Sequence, residues 1–288
     1  MNAKISLQNV TYRYSIGTPF EKAALENVTL DFEGGIITGL MGHTGSGKST
    51  IAQLLNGLLR PTEGKVLLDG RDIWEDPKKI GAVRFRVGLV FQYPEYQLFE
   101  ETVARDIAYG PTNMGLSPEE ILERVQQAAR FTGISPEVFD KSPFELSGGQ
   151  KRRVAIAGVM AMEPGILILD EPTAGLDPAG CQDILDNIRR YRDETGATIL
   201  LVTHDMSIAA RMADRLLVLS KGSIAFDGTP QEVFSHVKEL REIGLDIPVS
   251  TSVAEKLRNE GLALPDSICT VAELRDAILS LRGGNAVC

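Results

Sequence analysis

The sequence predicts an α/β fold wound around a phosphate-binding loop, with a helical stretch set apart from the strands and a helical tail. Three observations predict it. Gly42-His43-Thr44-Gly45-Ser46-Gly47-Lys48-Ser49 fits the pattern G-x-x-x-x-G-K-[ST]. Short apolar runs bounded by glycine or turn residues recur as far as Phe226, as buried strands do. Residues 107 to 144, and those after Thr229, carry helix start signals and no such run.

The loop has the context its pattern requires. Ile36 to Met41 before it is a short apolar strand, and Thr50 to Leu59 after it spaces apolar residues like a helix. Glycines let backbone N–H groups crowd around phosphate oxygens, and the new helix points its positive end at the same anion. Lys48 is placed to reach the β/γ-phosphates, and Ser49 to offer a hydroxyl to Mg²⁺.

The other elements follow in order. Lys4 to Val10 reads as a first strand, followed by Tyr12-Arg13-Tyr14. An aromatic so close before the loop either stacks on a nucleotide base or packs at a strand end, and spacing leaves both open. Ala24 to Phe32 is another strand, turned by Gly34-Gly35 into the one that enters the loop. Val66 to Leu68 precedes an Asp69-Gly70 turn. Val87 to Phe91 is a buried strand ending at Gln92, at the strand edge where open α/β sheets bind ligands; a loop glutamine is equally an ordinary solvated residue. Tyr93 to Val103 is dense in aromatics beside acids, which fits a contact surface or a turn with a hydrophobic staple. Ser117-Pro118-Glu119-Glu120 opens a helix with a capping serine and a proline at its first position.

Leu146-Ser147-Gly148-Gly149-Gln150 opens a further helical run to Met162, with Ser147 and Gln150 spaced as a capping box. Two glycines just inside a helix cost roughly 1 kcal/mol each relative to alanine, so a plain cap would not select them. Close approach of a ligand to bare backbone would, and a helix N-terminus is an anion site. Ile166 to Leu169 is an apolar strand ending in Asp170-Glu171. Asp170 suits Mg²⁺, directly or through water, and Glu171 would polarise an attacking water as general base. A helix cap explains this pair less well, because Pro172 follows and a separate cap stands at Asp177-Pro178. Thr198 to Thr203 is a buried strand ending at His204, one of three histidines; His43 lies inside the loop and His236 on a surface helix. Arg215 to Leu219 and Ile224 to Phe226 form a hairpin about Lys221-Gly222. Helices are then signalled at Thr229, at Ser252 to Glu255 and at Thr270 to Glu273, with Pro248 and Pro265 between, a tail suited to packing or dimer contact.

Composition bounds these readings. The 288 residues allow one large domain or one plus a smaller one. A net charge of −9 argues against nucleic acid as partner. No apolar run approaches the ~20 residues that span a bilayer. The stretch Met1 to Ser6 lacks a secretory h-region, so the chain is expected in the cytosol. Cys181, Cys269 and Cys288, an odd number at no metal-like spacing, read as reduced, non-structural thiols.

From residue 4 to 235 the chain resembles an ATP-binding cassette ATPase, with the family's elements in their usual order. The resemblance implies a RecA-like core, an antiparallel β subdomain, a helical subdomain at about 93–163, and a helical C-terminal domain at 236–288 that makes a dimer contact, the nucleotide-binding domain being 1–235. It implies ATP held by Tyr14, Gly42, Thr44, Gly45, Ser46, Gly47, Lys48, Ser49 and Thr50, and Mg²⁺ by Ser49, Gln92 and Asp170. Glu171, His204 and Gln92 would be catalytic. Leu146, Ser147, Gly148, Gly149 and Gln150 would be the signature acting on the facing subunit's ATP. Ala174-Gly175-Leu176-Asp177 would be the loop between subunits. No position here departs from the family's pattern.

The chain is more closely similar to the ATPase subunits of energy-coupling factor transporters. Phe91-Gln92-Tyr93-Pro94-Glu95-Tyr96-Gln97-Leu98-Phe99 looks like the short helix that faces the membrane scaffold in that group, with Tyr93, Pro94, Glu95, Gln97 and Phe99 as contacts. Asn56 to Pro61 and the long tail fit as well, and His43-Thr44-Gly45-Ser46 is similar to the second, A-prime, ATPase subunit. The resemblance implies a head-to-tail pair with a second ATPase subunit, as a heterodimer, on a membrane scaffold (T) subunit and substrate-binding (S) subunits. It places the chain peripherally at the cytoplasmic face of a prokaryotic cell membrane, powering uptake of vitamins or transition-metal ions. A homodimeric ATPase of a cobalt or nickel importer is the alternative. A nucleic-acid-acting ATPase would need a basic face or coiled-coil arms, and a small-molecule kinase would leave Leu146 to Gln150 without a purpose.

Overall fold

The computed structural model describes residues 3–284; Met1, Asn2 and Cys288 lie outside them. Strand β1 (Ile5–Tyr14) buries Ile5, Leu7 and Val10 on one face and pairs antiparallel with β2 (Lys22–Phe32), Leu7 opposite Leu30. β3 (Ile37–Met41) is buried throughout and runs through the phosphate-binding loop into α1 (Lys48–Leu55). β4 (Glu63–Leu68) and β5 (Arg71–Asp72) complete an antiparallel sheet of order β2-β1-β4-β5. α2 (Ile80–Arg86) leads into β6 (Val87–Val90).

Three helices follow before the next strand: α3 (Val103–Asn113), α4 (Pro118–Thr132) and α5 (Gly148–Met160). Ser117 and Glu120 close the capping box at α4, and Gly133 ends it in the left-handed region at φ 68°. The chain returns through β7 (Ile166–Asp170), α6 (Pro178–Thr195), β8 (Thr198–Val202), α7 (Met206–Met212), β9 (Arg215–Ser220) and β10 (Ser223–Gly228). These strands form a six-stranded sheet of order β10-β9-β3-β8-β7-β6, parallel except for β10. Its central strands read as unbroken apolar runs because both faces are covered. Ile166 and Ile168 pack with Leu7, Ile51 and Leu54 on one side, while Leu167 and Leu169 pack with Ile107, Ala157 and Ile188 on the other. Successive strand residues thus weld the antiparallel sheet to one face and the helices to the other.

The tail contains α8 (Pro230–Ser235), α9 (Val237–Glu242), α10 (Val249–Asn259) and α11 (Val271–Gly284), and no strand after β10 among the described residues. Leu240, Leu245, Ile247 and Cys269 share a core with Met41, Leu216 and Val218 of the parallel sheet, while Ala254, Leu264 and Ile268 form a smaller cluster. Glu273 ties the two parts. It accepts N–H bonds from Cys269 (2.9 Å) and Thr270 (2.8 Å) and one from the Gln231 amide (2.9 Å).

Several boundaries differ from the sequence expectation. β1 continues to Tyr14, past Val10, by pairing with β2 through irregular registers that place Tyr14 opposite Lys22. α1 stops at Leu55, short of Leu59, where Gly57 turns left-handed and the Asn56 amide bonds the Val87 carbonyl. α10 starts at Val249 behind Pro248, so Ser252 lies within the helix instead of capping it. α6 was signalled only by its Asp177-Pro178 cap, because its long polar face hides the stripe of Ile184, Leu185, Ile188 and Tyr191.

Candidate functional site

The phosphate-binding loop is wedged between the two sheets. At Gly42 (φ 153°) a Cβ would lie 2.3 Å from the Leu219 carbonyl oxygen, and at Gly47 (φ 112°) 2.6 Å from that of Ala24. Only glycine fits either turn. The Gly222 N–H donates to the Ser46 carbonyl and the Glu26 N–H to the Gly222 carbonyl, both at 3.1 Å, so the β9–β10 turn joins the loop to β2.

Lys48 curls into the loop, its Nζ donating to the carbonyls of Gly42 (2.7 Å) and His43 (3.0 Å). Burial lowers its pKa, with the Glu171 and Asp170 charges acting in the other direction. Ser49 Oγ donates to Asp170 Oδ2 at 2.8 Å. Burial pushes the Asp170 carboxyl up, against the pull of Ser49 and Lys48. Tyr14, 40% exposed, places its hydroxyl 3.1 Å from Thr50 Oγ1 and its ring edge-on to Tyr12. Tyr14, Lys22, Ala24, Gly45, Gly47, Lys48, Ser49 and Thr50 line one cleft of about 190 Å³. It offers a flat ring at one end and bare amides with a cation at the other, as a nucleotide requires. Lys22 and Ala24 escaped the sequence reading. Only the pairing of Tyr14 with Lys22 brings them there, and that register is not visible in a linear chain.

The second cluster stands on the ends of β7 and β8, where Asp170 pairs with Val202. Glu171 takes a left-handed φ of 51°, and its N–H donates to the Val202 carbonyl at 2.9 Å. Its Oε1 lies 2.7 Å from His204 Nδ1. Glu171 is buried, whereas the His204 side chain is 74% exposed and free to reach outward. Gln92 stands at the same sheet end, two residues beyond the Val90–Leu169 pair. It is exposed and makes no hydrogen bond to Ser49, Asp170 or Glu171.

Ser147 and Gln150 form the capping box of α5 as expected. A Cβ at Gly148 would meet nothing within 4 Å, and one at Gly149 only Leu176 Cδ2 at 3.9 Å. Among the described residues no contact therefore requires either glycine. Leu146 is buried, and none of Leu146 to Gln150 lines the cleft. Asp177 accepts from the Gly180 N–H at 2.7 Å, capping α6. Past Gln92, a short 3₁₀ turn (Pro94–Gln97) leaves Tyr93, Tyr96, Gln97 and Phe99 exposed and Pro94 buried. Phe99 packs edge-on to Tyr109, 4.8 Å between centroids, beside a groove of about 290 Å³ lined by Leu98, Asp106, Tyr109 and Met162 among others. Asp106, Tyr109 and Arg152 of this region were not singled out from the sequence. Glu95 turns its carboxylate inward to Arg152.

Metal chemistry follows from the donors. The Ser49 hydroxyl and the Asp170 carboxylate are hard oxygen ligands, and among the described residues no group of three His, Cys, Asp or Glu could hold a metal alone. That suits Mg²⁺, which retains water and takes phosphate oxygens, and not a fully protein-ligated ion.

A family model described as "ABC transporter" matches residues 25–174. The chain is 52% identical over 280 residues to the energy-coupling factor transporter ATP-binding protein EcfA2 of Caldanaerobacter subterraneus subsp. tengcongensis, covering 97% of this chain and 98% of that one. Among solved structures it is similar to cbiO1 from Clostridium perfringens, part of the ABC transporter complex cbiONQ, at 40% identity and a TM-score of 0.73, over 83% of this chain and 93% of that one. It is also similar to a dimeric ATP-binding cassette in a post-hydrolysis state bound to ADP and Pi, at 30% identity and a TM-score of 0.71, over 78% of this chain and 98% of that one.

Proposed function

The chain belongs to the ABC transporter family, and from that premise we propose that it is the ATP-hydrolysing subunit of an energy-coupling factor transporter. The observation that carries this reading is the open end of α5. Among the described residues nothing lies within 4 Å of a Cβ placed at Gly148 and only Leu176 Cδ2, at 3.9 Å, near one at Gly149, and both glycines lie off the cleft that the phosphate loop lines. A second ATPase chain, docked head to tail, supplies the missing ligand. Its bound ATP meets the N–H groups and positive end of α5, and our cleft meets its α5 in return.

Within the pair each residue has one task. Tyr14 stacks on the base. Gly42, Thr44, Gly45, Ser46, Gly47, Lys48, Ser49 and Thr50 wrap the phosphates. Ser49, Asp170 and Gln92 are the residues that would hold Mg²⁺, which when bound neutralises phosphate charge. Glu171 takes a proton from the attacking water, and His204 orients it and senses the γ-phosphate. Leu146 to Gln150 and Asp177 face the partner. The exposed Tyr93, Gln97 and Phe99 meet a membrane scaffold subunit, whose substrate-binding companions carry the solute; Pro94 is buried and Glu95 turns inward to Arg152, so these two shape that surface from within instead of touching the scaffold. We divide the chain at 235/236, with a helical part at about 93–163, and assign 236–288 to the contact between ATPase subunits. Among the described residues no helix is long and apolar enough to cross a membrane. Membrane attachment through partners is part of this proposal. The heterodimer with a distinct second ATPase is part of this proposal.

Purification of the tagged chain from native membranes tests the reading. It predicts a second ATPase chain and at least one membrane-embedded protein in stoichiometric yield, with ATP turnover in the complex. Recovery of the chain alone would contradict it.

A further inference from the structure

Arg152, on the first turns of α5, is 2% exposed and sits at the crossing of three segments. Its Nε and Nη2 donate to both oxygens of Glu95 at 3.0 and 2.8 Å. Its Nη1 donates to the carbonyls of Pro172 (3.4 Å) and Ala174. The guanidinium also lies over the Tyr93 ring, 5.8 Å from its centroid. Burial pushes the Glu95 carboxyl up, but the bonds from Arg152 outweigh it and hold it below the ordinary glutamate value.

What Arg152 joins is unusual at both ends. Tyr93 starts the scaffold-facing turn at φ 57°, and Glu171 starts the turn that contains Pro172 and Ala174 at φ 51°. Non-glycine residues enter this left-handed region only when their surroundings hold them there. One guanidinium fastens both turns. Its planar fork meets a carboxylate on one side and carbonyls on the other, which a lysine's point charge does not do.

We propose that Arg152 is a positioning residue: through Glu95 and the Pro172 and Ala174 carbonyls it sets the place of Glu171 according to the state of the scaffold-facing turn. It rests on the assignment of Glu171 as the base and of Tyr93 to Phe99 as the scaffold contact. Displacing Glu95 pulls the fork, and the turn carrying the base moves with it. Membrane partners thereby gain a direct hold on ATP turnover that bypasses the nucleotide cleft.

The test is ATP turnover by the complex in lipid vesicles, for wild type and Arg152→Lys, each also in a Glu171→Gln background. The expected result is a kcat about tenfold lower for Arg152→Lys with KM for ATP within about twofold, and no further loss when added to Glu171→Gln. Unchanged kcat, or an equal loss in both backgrounds, would overturn it. If Arg152→Lys does not fold, the charge-neutral Glu95→Gln/Arg152→Gln pair, which leaves no lone buried charge, takes its place with the same two outcomes. Failure of the wild-type complex to hydrolyse ATP speaks against the transporter reading itself and not against this link alone.

Discussion

Glu171 Oε1 and His204 Nδ1 lie 2.7 Å apart across the ends of neighbouring strands, one side chain buried and the other exposed. Two residues so coupled act as a unit. Glu171→Gln is expected to lower ATP turnover by about 10²–10⁴, the usual contribution of a positioned general base, while ATP affinity stays within about threefold. His204→Ala should lose less, and the double variant no more than Glu171→Gln alone. Turnover with parallel nucleotide-binding titrations measures all three.

Gly148→Ala separates the site from the fold. A Cβ there meets nothing within 4 Å among the described residues, and alanine is the better helix former, so stability should rise by up to about 1 kcal/mol. The same methyl intrudes on the facing chain's nucleotide, and turnover of the paired enzyme should fall at least about tenfold. Thermal unfolding and turnover on one preparation give opposite signs if the reading is right.

Tyr14 makes two separable contributions. Removing only its bond to Thr50, with Tyr14→Phe, should change ATP affinity by no more than about threefold. Tyr14→Ala removes a stacking face worth roughly 1–3 kcal/mol, or about 5- to 150-fold in affinity. Equilibrium binding of ATP decides between a stacking ring and a strand-end packing residue.

Glu273 predicts an acid limb of stability. Burial pushes its carboxyl up, but bonds from Gln231, Cys269 and Thr270 outweigh this and hold it at about 2, below its ordinary 4.5. A depressed folded pKa means stability fully present above 4.5 and lost as pH falls toward about 2. Melting temperatures between pH 5 and 3 should therefore drop more steeply for wild type than for Glu273→Gln.

The parts legible in the sequence are those whose physics is local. Gly42 to Ser49, the apolar run into Asp170-Glu171, and the caps at Ser117, Ser147 and Thr229 each announce themselves within a few residues, and the structure forms all three capping boxes. What escaped depends on pairing across the chain. Lys22 reaches the cleft only through its register with Tyr14, and Arg152 meets Glu95 at a sequence separation of 57. Nothing in Lys151-Arg152-Arg153 marks the middle residue as buried, because arginines are mostly exposed. Burial with a paired carboxylate is a tertiary fact.

The central claim is that ATP is split between two chains, and turnover resolved by molecular mass tests it most directly. The chain and its co-purified ATPase partner are separated by size with light scattering, and ATP hydrolysis is assayed in each fraction. The account predicts no turnover in the single-chain fraction of 31.3 kDa, turnover in the two-chain fraction, and its loss on Ser147→Arg. Full-rate hydrolysis by the single chain, unmoved by Ser147→Arg, would contradict it.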